Sequence, residues 1–429
     1  MYHVYLVPLN HYDAVWAFTQ DDYTYISELI LLRAVELMQQ YDFTFQIEQT
    51  FLLEEIEKRN PKLWSDLKDL IQKDKLEIVD GQYLMSDPMI PDGEVIVREI
   101  IVGKRYCKEK FGIEVPVAWA ADGFGLNSQM PQIYKKSGYK WFAFRRGAKK
   151  KISEFLWQGL DGTKILSHWM PLGYRAGLFP EEIEQNFNIL KTLAASSHIL
   201  MPAGSGSVYP DYETIKFVEN WNKTHDDVKI HIAKVEDFFT ALESENPKLE
   251  TIRGYMYSGK YSDVFPDVAS SRIWVIMGAR ECERLIYSAE RFATLSWLHG
   301  AVYPDGMLKN TWRRLLFVAF HDVLPGTGID EIYVPVKDYF SSLDLDLKKI
   351  IYDSLNFIAN SIQTDSDTLV VFNSLSWDVK NWTEAAVSFD VIVTIPVSSF
   401  TCTLKYEFST KLGPIFNDDV YCLFISTIL

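Results

Sequence analysis

The segment HVYLVPLNHYDAVW, residues 3–16, begins as an apolar strand and ends with a histidine, an aspartate and a tryptophan. Polar side chains that directly follow a buried strand are typical of a functional site at the carboxyl end of a sheet. His11 and Asp13 stand two positions apart, and in an extended chain such residues point to the same side. An imidazole and a carboxylate together suit a divalent metal such as Zn²⁺, although a hydrogen-bonded surface pair has the same spacing.

Strand-like and helix-like stretches alternate along residues 1–250. The strand patterns are HVYLVPL, FTFQIEQ, LEIVDGQY, VPVAWAADGFG, KWFAFRR, KILSHWM and SHILMPAG. The helical patterns are SELILLRAVELMQQY, PKLWSDLKDLIQKDK, GEVIVREIIVGKRYCKEKFG and SQMPQIYKKSG; Pro61 opens the second and Gly112 ends the third. Such alternation predicts an α/β fold in which βα units surround a parallel sheet. Functional residues are then expected where strands end and loops begin.

The pattern changes from about Ser270 onward. Three long stretches with helical spacing follow, within residues 270–298, 308–324 and 336–362, and they predict a helical bundle. Near Asp365, strand patterns return without helices between them, in DTLVVFNSLSW and TEAAVSFDVIVTIPV. The order of elements therefore predicts three regions: an α/β domain, a helical bundle and a β-rich end.

The composition disfavours several classes of protein. A formal net charge of −15 argues against nucleic acid as a partner, because the phosphate backbone would be repelled. No run of about 18 apolar residues occurs, so no membrane span is predicted, and MYHVYLVP lacks the basic region of a signal peptide. Four scattered cysteines predict a reducing, cytoplasmic environment. Aromatic residues make up 14 % of the chain, and they either fill a large core or stack on sugar rings.

Two further segments carry candidate site residues. Asp122 follows the apolar run VPVAWAA and precedes two glycines that permit a sharp turn. It is therefore either a carboxylate presented at a strand end or the N-cap of the next helix. His321 and Asp322 follow the apolar segment LLFVAF and precede LPG. A histidine at such a place is either a core or capping residue or a further member of the same site.

In wording and order these segments resemble glycoside hydrolase family 38, the retaining α-mannosidases, and among them the bacterial, archaeal and cytosolic branch. The matching segments are HYDAVW, WAADGFGLNSQMPQIYKKSG, FLWQGLDGTKILSHW, GKYS, FHDVLPGTGI and VFNSLSW, in the family's order from residue 1 to about residue 385. The resemblance implies a seven-stranded parallel β/α barrel in residues 1–250, a three-helix bundle in residues 251–365 and the start of a β-sandwich in residues 366–429.

The resemblance also implies a reaction and the residues that perform it. Asp122 would attack the anomeric carbon of an α-mannoside and form a covalent glycosyl-enzyme, which water then opens. One Zn²⁺, with Co²⁺ or Mn²⁺ as alternatives, would be held by His11, Asp13, Asp122 and His321. Four more residues match substrate-binding positions, unless they serve the core or the surface: Trp16, Phe124, Arg146 and Asp322. The implied partner is a mannose-containing oligosaccharide or glycoside, and the chain is either a monomer or a homo-oligomer.

The sequence departs from the family at the residue that donates the proton. Retention needs a second carboxylic acid about 5–5.5 Å from the nucleophile. The resemblance places that acid at Ser205 or Gly206, and neither can serve. Asp211 and Glu213, slightly later in the same loop, are candidates for a displaced acid. The alternative is that the acid is missing.

The end of the chain departs as well, because the resemblance stops after about Val391. The interpretation is a truncated or frame-shifted product, with a genuinely short architecture as the alternative. The first function hypothesis is a Zn²⁺-dependent retaining α-mannosidase. The second is an inactive or weakly active sugar-binding homologue that keeps the metal cleft but has lost the acid. The third, a metal-dependent carbohydrate deacetylase, is disfavoured because the sequence lacks the local pair of histidines usual in such enzymes.

Overall fold

The computed structural model describes residues 1–363, 368–377, 383–385, 402–404, 415–417 and 420–425. Contacts divide the chain into two compact units. The first comprises Met1–Met277 and Leu316–Val336, and the second comprises Gly278–Leu315 and Lys337–Leu429. The segment that carries His321 therefore belongs to the first unit, together with His11, Asp13 and Asp122.

The first unit contains the predicted alternation of strands and helices. Its strands within residues 1–277 are β1 (Tyr2–Asn10), β2 (Phe45–Gln49), β3 (Leu76–Gln82), β4 (Val117–Ala120), β5 (Trp141–Phe144), β6 (Glu154–Gln158), β7 (Lys164–Trp169), β8 (His198–Gly204), β9 (Val228–Ile232) and β10 (Thr251–Arg253). Its helices are α1 (Gln20–Gln40), α2 (Thr50–Arg59), α3 (Pro61–Gln72), α4 (Gly93–Phe111), α5 (Met130–Lys136), α6 (Ile183–Leu190), α7 (Tyr212–Thr224) and α8 (Val235–Glu245).

These strands form two five-stranded sheets. In the first sheet β3, β2, β1 and β8 lie side by side, and β9 also pairs with β1. The strand β1 is central: it runs parallel to β8 from His3↔His198 to Leu9↔Gly204, and its carboxyl end pairs with β2. The second sheet has the order β10, β6, β7, β5 and β4. Neighbouring strands in both sheets are parallel except for β6 and β7.

The predicted α/β class is confirmed, and every predicted strand of this region is present. The prediction of a wholly parallel sheet is wrong at β6 and β7, which form an antiparallel hairpin. Residues 159–163 connect the two strands, and the Gly159 amide donates to the Thr163 carbonyl at 2.8 Å. Because a parallel crossover needs about a dozen residues or more, so short a connection permits only an antiparallel pair. The strand pairings among the described residues of this region form two separate sheets. The closed seven-stranded barrel therefore stays a prediction.

Local sequence signals explain where several elements begin and end. Helix α3 begins at Pro61, and the Asn60 side chain caps it by accepting from the Leu63 amide at 3.1 Å. Helix α4 ends where Gly112 adopts a φ of 72°, the left-handed conformation that favours glycine. The main core cluster draws on both sheets and on α8, and it includes Leu9, Val79, Trp119, Trp141 and Phe238. The strands that lead to His11 and Asp122 are therefore anchored in one core.

The second unit holds most of three long helices. The helices α9 (Ile273–Leu298), α10 (Asp305–Val318) and α11 (Tyr333–Asn360) confirm the three predicted helical patterns. The rings of Tyr287 in α9 and Trp312 in α10 lie with their centroids 6.2 Å apart. The Arg314 guanidinium of α10 donates to the Ser342 hydroxyl of α11 at 2.7 Å. These contacts connect the three helices in sequence order.

Short strands follow the helices. They are β11 (Thr368–Asn373), β12 (Thr383–Ala385), β13 (Cys402–Leu404), β14 (Ile415–Asn417) and β15 (Val420–Ile425). The strand β15 pairs antiparallel with β11 and β14, and β12 pairs with β13. The predicted change of pattern after Val391 falls mostly on residues outside the described part of the chain. None of the helices among the described residues has the length and apolar character needed to cross a membrane.

Candidate metal centre and active site

The first two candidate ligands follow β1 directly. The strand ends at Asn10, so His11 and Asp13 lie just beyond it rather than within it. Both residues are buried, and His11 Nε2 lies 3.2 Å from Asp13 Oδ1. The alternative of a surface pair is therefore excluded. The two side chains converge at the carboxyl end of a central parallel strand, as expected for a functional site.

The third candidate, His321, is held against the segment that follows β3. The preceding residue, Phe320, forms a β-bridge with Ser86, and the His321 amide donates to the Met85 carbonyl at 3.2 Å. The same carbonyl lies 2.8 Å from His321 Nδ1. The imidazole is thereby aimed at the first two residues, because His321 Nε2 lies 3.8 Å from Asp13 Oδ1. Ligand atoms of His11, Asp13 and His321 all lie within 4.8 Å of one another.

The two imidazoles present the same nitrogen to this cluster. His11 Nδ1 bonds to a carboxylate oxygen of Glu48 at 2.8 Å, and His321 Nδ1 bonds to the Met85 carbonyl. These partners only accept, so each Nδ1 carries the proton. Both Nε2 atoms are buried, and neither has a hydrogen-bond partner among the described residues. Two neutral imidazole nitrogens beside a carboxylate are a donor set that fits Zn²⁺.

The charge of His11 depends on what occupies the cluster. Burial alone would lower the pKa of His11, but the negative charge of Glu48, followed by Tyr174 and Asp13, raises that pKa well above its ordinary value. The negative charges around His11 therefore favour its protonated form. A metal ion at Nε2 would compete with a proton for the same lone pair, so metal binding there would be favoured by rising pH.

Asp122 reaches the cluster from the second sheet. It follows β4, which ends at Ala120, and helix α5 does not begin until Met130, with Gln129 as its cap. The alternative of a helix N-cap is therefore wrong. Asp122 Oδ2 lies 3.7 Å from His11 Nε2, so this carboxylate borders the cluster of His11, Asp13 and His321.

Two arginines hold the Asp122 carboxylate. Arg146 Nε donates to Oδ1 at 2.7 Å and Arg145 Nη1 donates to the same oxygen at 3.0 Å, while the Tyr174 hydroxyl donates to Oδ2 at 3.3 Å. Burial would raise the pKa of Asp122, but the nearby imidazole of His11, together with the charges of both arginines, holds that pKa well below its usual range. Asp122 is thus a partly buried carboxylate that stays ionised at neutral pH.

The predicted substrate-binding residues Trp16, Phe124 and Asp322 lie on the same chain segments as Asp13, Asp122 and His321. Trp16 is 49 % exposed, so its face is open to a ligand, and its carbonyl accepts from the Ile329 amide at 2.9 Å in the loop after His321. The buried ring of Phe124 packs edge-on against the imidazole of His321, with the ring centroids 6.3 Å apart. Asp322 Oδ1 accepts from the Thr327 hydroxyl at 2.5 Å, and burial raises the pKa of Asp322 to about 7.

The loop in which the acid is expected holds no carboxylate at the cluster. A Cβ built on Gly206 would lie 2.9 Å from the His11 carbonyl oxygen and 3.5 Å from Asp13 Oδ2. Asp211 caps α7 by accepting from the Glu213 amide, and Glu213 pairs with Lys216 at 2.6 Å. Both acids line a pocket of about 230 Å³ together with Phe43, Phe45 and Tyr209. The contacts of the Asp122 carboxylate go instead to His11, Arg145, Arg146 and Tyr174.

Sequence reasoning missed three residues of the site. Glu48 had a signal, since it is a carboxylate within the apolar strand pattern FTFQIEQ. Arg145 also had one, because it precedes Arg146 directly after a predicted strand. Tyr174 had no signal in the sequence. It lies in a short 3₁₀ turn, and only in the folded chain does its ring stack on the imidazole of His11, with the ring centroids 4.2 Å apart.

These features define an α/β protein with a buried His–Asp cluster, able to hold a metal ion, at the ends of its parallel strands. Comparison with protein families assigns the chain to one family. Residues 1–265 match the N-terminal domain of glycosyl hydrolases family 38, and residues 263–358 match the alpha mannosidase middle domain. The chain therefore belongs to glycosyl hydrolase family 38.

Individual relatives agree with this membership. The chain is 26 % identical over 338 residues to alpha-mannosidase 2C1 of Homo sapiens, a match that covers 75 % of this chain and 32 % of the human protein. It is 25 % identical over 329 residues to an alpha-mannosidase of Saccharomyces cerevisiae, covering 72 % of this chain and 30 % of the yeast protein. The chain thus spans about a third of the length of these curated relatives.

The fold also matches a solved structure. A crystal structure of an alpha-mannosidase from Enterococcus faecalis V583 superposes with a TM-score of 0.81 at 21 % sequence identity. The match covers 87 % of this chain and 45 % of the bacterial one. At this level of identity the likeness establishes a shared fold.

Proposed function

We propose that this chain is a metal-dependent α-mannosidase that retains the configuration of the anomeric carbon, with Asp122 as the nucleophile. The observation that carries the proposal is the ionised Asp122 carboxylate 3.7 Å from His11 Nε2, at the edge of a buried His–Asp cluster. Family membership supports a glycosidase rather than a carbohydrate deacetylase. The substrate is then a mannose-containing oligosaccharide or glycoside.

The donors of the cluster are those that Zn²⁺ prefers. We propose that the ion, with Co²⁺ or Mn²⁺ as alternatives, is held by His11, Asp13, Asp122 and His321. When bound by these residues, a divalent ion would supply Lewis-acid chemistry that helps to orient the sugar hydroxyls. Trp16 offers an exposed face for the ring, Phe124 forms a wall beside His321, and Asp322 accepts from a sugar hydroxyl.

The arrangement around Asp122 selects the attacking oxygen. Both arginines donate to Oδ1, so Oδ2, whose contacts are the longer ones to the Tyr174 hydroxyl at 3.3 Å and to His11 Nε2 at 3.7 Å, is the oxygen free to attack. A bond forms between Oδ2 and the anomeric carbon while the bond from that carbon to the leaving oxygen breaks. The leaving oxygen takes up a proton, and a water molecule later displaces Asp122 from the same carbon.

The source of that proton distinguishes the two candidate functions. Gly206 lies against the His11 carbonyl without room for a carboxylate side chain, and this observation favours the second candidate, a sugar-binding homologue with weak activity. General acid catalysis contributes about 10²–10⁴-fold, and leaving groups that need little protonation lose least without it. If the first candidate function, an active α-mannosidase, is correct, we expect aryl mannosides to be hydrolysed much faster than alkyl mannosides.

The remaining expectations belong to the same proposal. We keep the division into a seven-stranded barrel in residues 1–250, a three-helix bundle in residues 251–365 and a β-rich segment in residues 366–429. A cytoplasmic location fits Cys107 and Cys282, which are buried and unpaired. A net charge of −15 argues against nucleic acid, and no membrane partner is proposed. The chain acts as a monomer or as a homo-oligomer.

One experiment tests this function. Purified protein is incubated with Zn²⁺ and an aryl α-mannoside, and the anomer formed first is read by proton NMR. The proposal expects release of α-mannose before mutarotation. First-formed β-mannose would contradict the retaining mechanism. Saturable binding of the mannoside without any release would favour the sugar-binding homologue instead.

A further inference from the structure

Glu48 is an acidic residue in β2, a strand that lies in the interior of the protein. Every residue of β2 is buried, and Glu48 itself is 0 % exposed. An ionised carboxylate is costly to bury unless donors surround it. Glu48 has two such donors, one for each oxygen: the imidazole of His11 and the indole of Trp119.

The two contacts fix the carboxylate in one orientation. Glu48 Oε2 lies 2.8 Å from His11 Nδ1, and Glu48 Oε1 accepts from Trp119 Nε1 at 2.7 Å. These residues lie on or just beyond three strands: Glu48 on β2, His11 after β1, and Trp119 on β4. Because Trp119 is fully buried in the core, its indole prevents the carboxylate from turning away from His11.

We propose that Glu48 is a positioning residue for the metal ligand His11. This inference rests on the proposed metal centre. By accepting from Nδ1, Glu48 keeps the lone pair of His11 on Nε2, aims that atom at Asp13, and makes the imidazole a stronger donor. His321 obtains its orientation from a backbone carbonyl, whereas His11 depends on a side chain that substitution can remove.

The chain contains a matched control for this pair. Glu154 Oε1 lies 2.8 Å from His168 Nδ1, and both residues are buried. His168 Nε2 is also buried without a partner among the described residues. His168 does not belong to the cluster of His11, Asp13 and His321. Breaking the Glu154–His168 pair therefore removes the same buried contact without touching the proposed metal ligands.

The test compares metal affinity in Glu48→Gln, Glu154→Gln and the wild type. Apparent Zn²⁺ affinity is measured on the full chain by competition with a chromophoric chelator. Loss of such a partner typically weakens metal binding about 10–100-fold, and this is the loss we expect for Glu48→Gln. Glu154→Gln is expected to keep the wild-type affinity. The visible spectrum of the Co²⁺-loaded protein should change in Glu48→Gln alone.

A second variant covers the case in which Glu48→Gln fails to fold, as judged by circular dichroism. Trp119→Phe removes the donor to Oε1 and leaves His11 and Glu48 intact, so it should weaken Zn²⁺ binding by a smaller factor and alter the Co²⁺ spectrum. If Glu48→Gln folds and binds Zn²⁺ with wild-type affinity, the inference is overturned. If Glu48→Gln does not fold, wild-type affinity in Trp119→Phe overturns it. Such a result would leave the proposed metal centre intact. A wild-type protein that binds no Zn²⁺ would overturn both.

Discussion

The imidazole rings of His11 and His321 lie with their centroids 6.2 Å apart, and both direct Nε2 towards Asp13. One ring follows the first strand of the chain, and the other arrives from the segment after α10. Asp13 Oδ1 is 3.2 Å from the Nε2 atom of His11 and 3.8 Å from that of His321. Because these donors come together only in the folded chain, a metal ion held by them would stabilise the folded state.

Metal removal should therefore lower thermal stability. An ion present at about 100 times its dissociation constant stabilises the folded state by about 2.7 kcal/mol, which corresponds to a rise of several degrees in Tm. We expect a chelator to lower Tm by that amount and Zn²⁺ to restore it, as measured by differential scanning fluorimetry. His321→Ala should abolish the response to Zn²⁺, whereas His168→Ala should keep it. An unchanged Tm after complete chelation would contradict the ligand set.

Substitution of Asp122, the proposed nucleophile, should abolish turnover without unfolding the protein. Asp122→Asn keeps the shape of the side chain but lacks the negative charge needed for attack. We expect kcat for an aryl α-mannoside to fall on the order of 10⁴-fold. Mass spectrometry of acid-quenched reactions should detect the added hexose in the wild type only. Asp161→Asn, which changes a carboxylate paired with Lys136, is the control. A variant at Asp122 with near-normal turnover would assign the nucleophile elsewhere.

The two arginines beside Asp122 should differ in their contribution to stability. Arg146 is 8 % exposed and also donates to the Asp263 carbonyl at 2.8 Å, whereas the Arg145 side chain is 32 % exposed. Arg146→Met removes a buried guanidinium that holds the partly buried Asp122 carboxylate and should cost about 2 kcal/mol. Arg145→Met should cost about 1 kcal/mol or less, because water replaces the lost contact. Urea unfolding measures both, and equal losses would contradict this assignment.

The sequence could indicate two of the candidate ligand segments because strand ends are local features. Apolar runs that stop at His11 and at Asp122 mark the carboxyl ends of β1 and β4, and parallel strands bring such ends to one edge. His321 follows no strand at all. It could be placed only through the family resemblance, since its position depends on a β-bridge to Ser86 that the local pattern does not encode.

Other features depend on pairings that no local pattern specifies. Tyr174 stacks on His11 because a 3₁₀ turn after β7 passes over the site. Glu48 meets His11 because Asn10 lies in register with Ile47, and a shift of one residue would turn Glu48 away. The antiparallel pair of β6 and β7 was missed for a related reason, because a strand's own sequence does not state the direction of its neighbour.

A buried aspartate on β3 should make stability depend on pH. Asp80 is 0 % exposed, its Oδ1 accepts from Gln82 Nε2 at 2.9 Å, and burial raises its pKa from 3.8 to about 8. The folded state thus holds this proton more tightly than the unfolded chain. The contribution of Asp80 to stability is therefore fully present below about pH 4 and is lost as the pH rises through 8.

Asp80→Asn should remove this dependence. Asparagine tolerates the left-handed backbone at this position, where φ is 56°. We expect the stability of the variant relative to the wild type to rise by up to about 1.4 kcal/mol per pH unit between pH 4 and 8. Urea unfolding at several pH values measures the difference, with Asp69→Asn on the exposed surface as control. A constant difference across the range would show that Asp80 does not titrate there.

The acids of the loop after β8 should prove dispensable for proton donation. The Asp211 carboxylate caps α7, and Glu213 is 64 % exposed and paired with Lys216. We expect Asp211→Asn and Glu213→Gln to change kcat/KM for methyl α-mannoside by less than about twofold, whereas a true acid contributes about 10²–10⁴-fold. Asp211→Ala is the control for capping: it should cost about 1 kcal/mol of stability without altering the ratio of rates for aryl and methyl mannosides. Because protonation matters most for the poor leaving group, a hundredfold loss confined to methyl α-mannoside would identify the varied residue as the displaced acid.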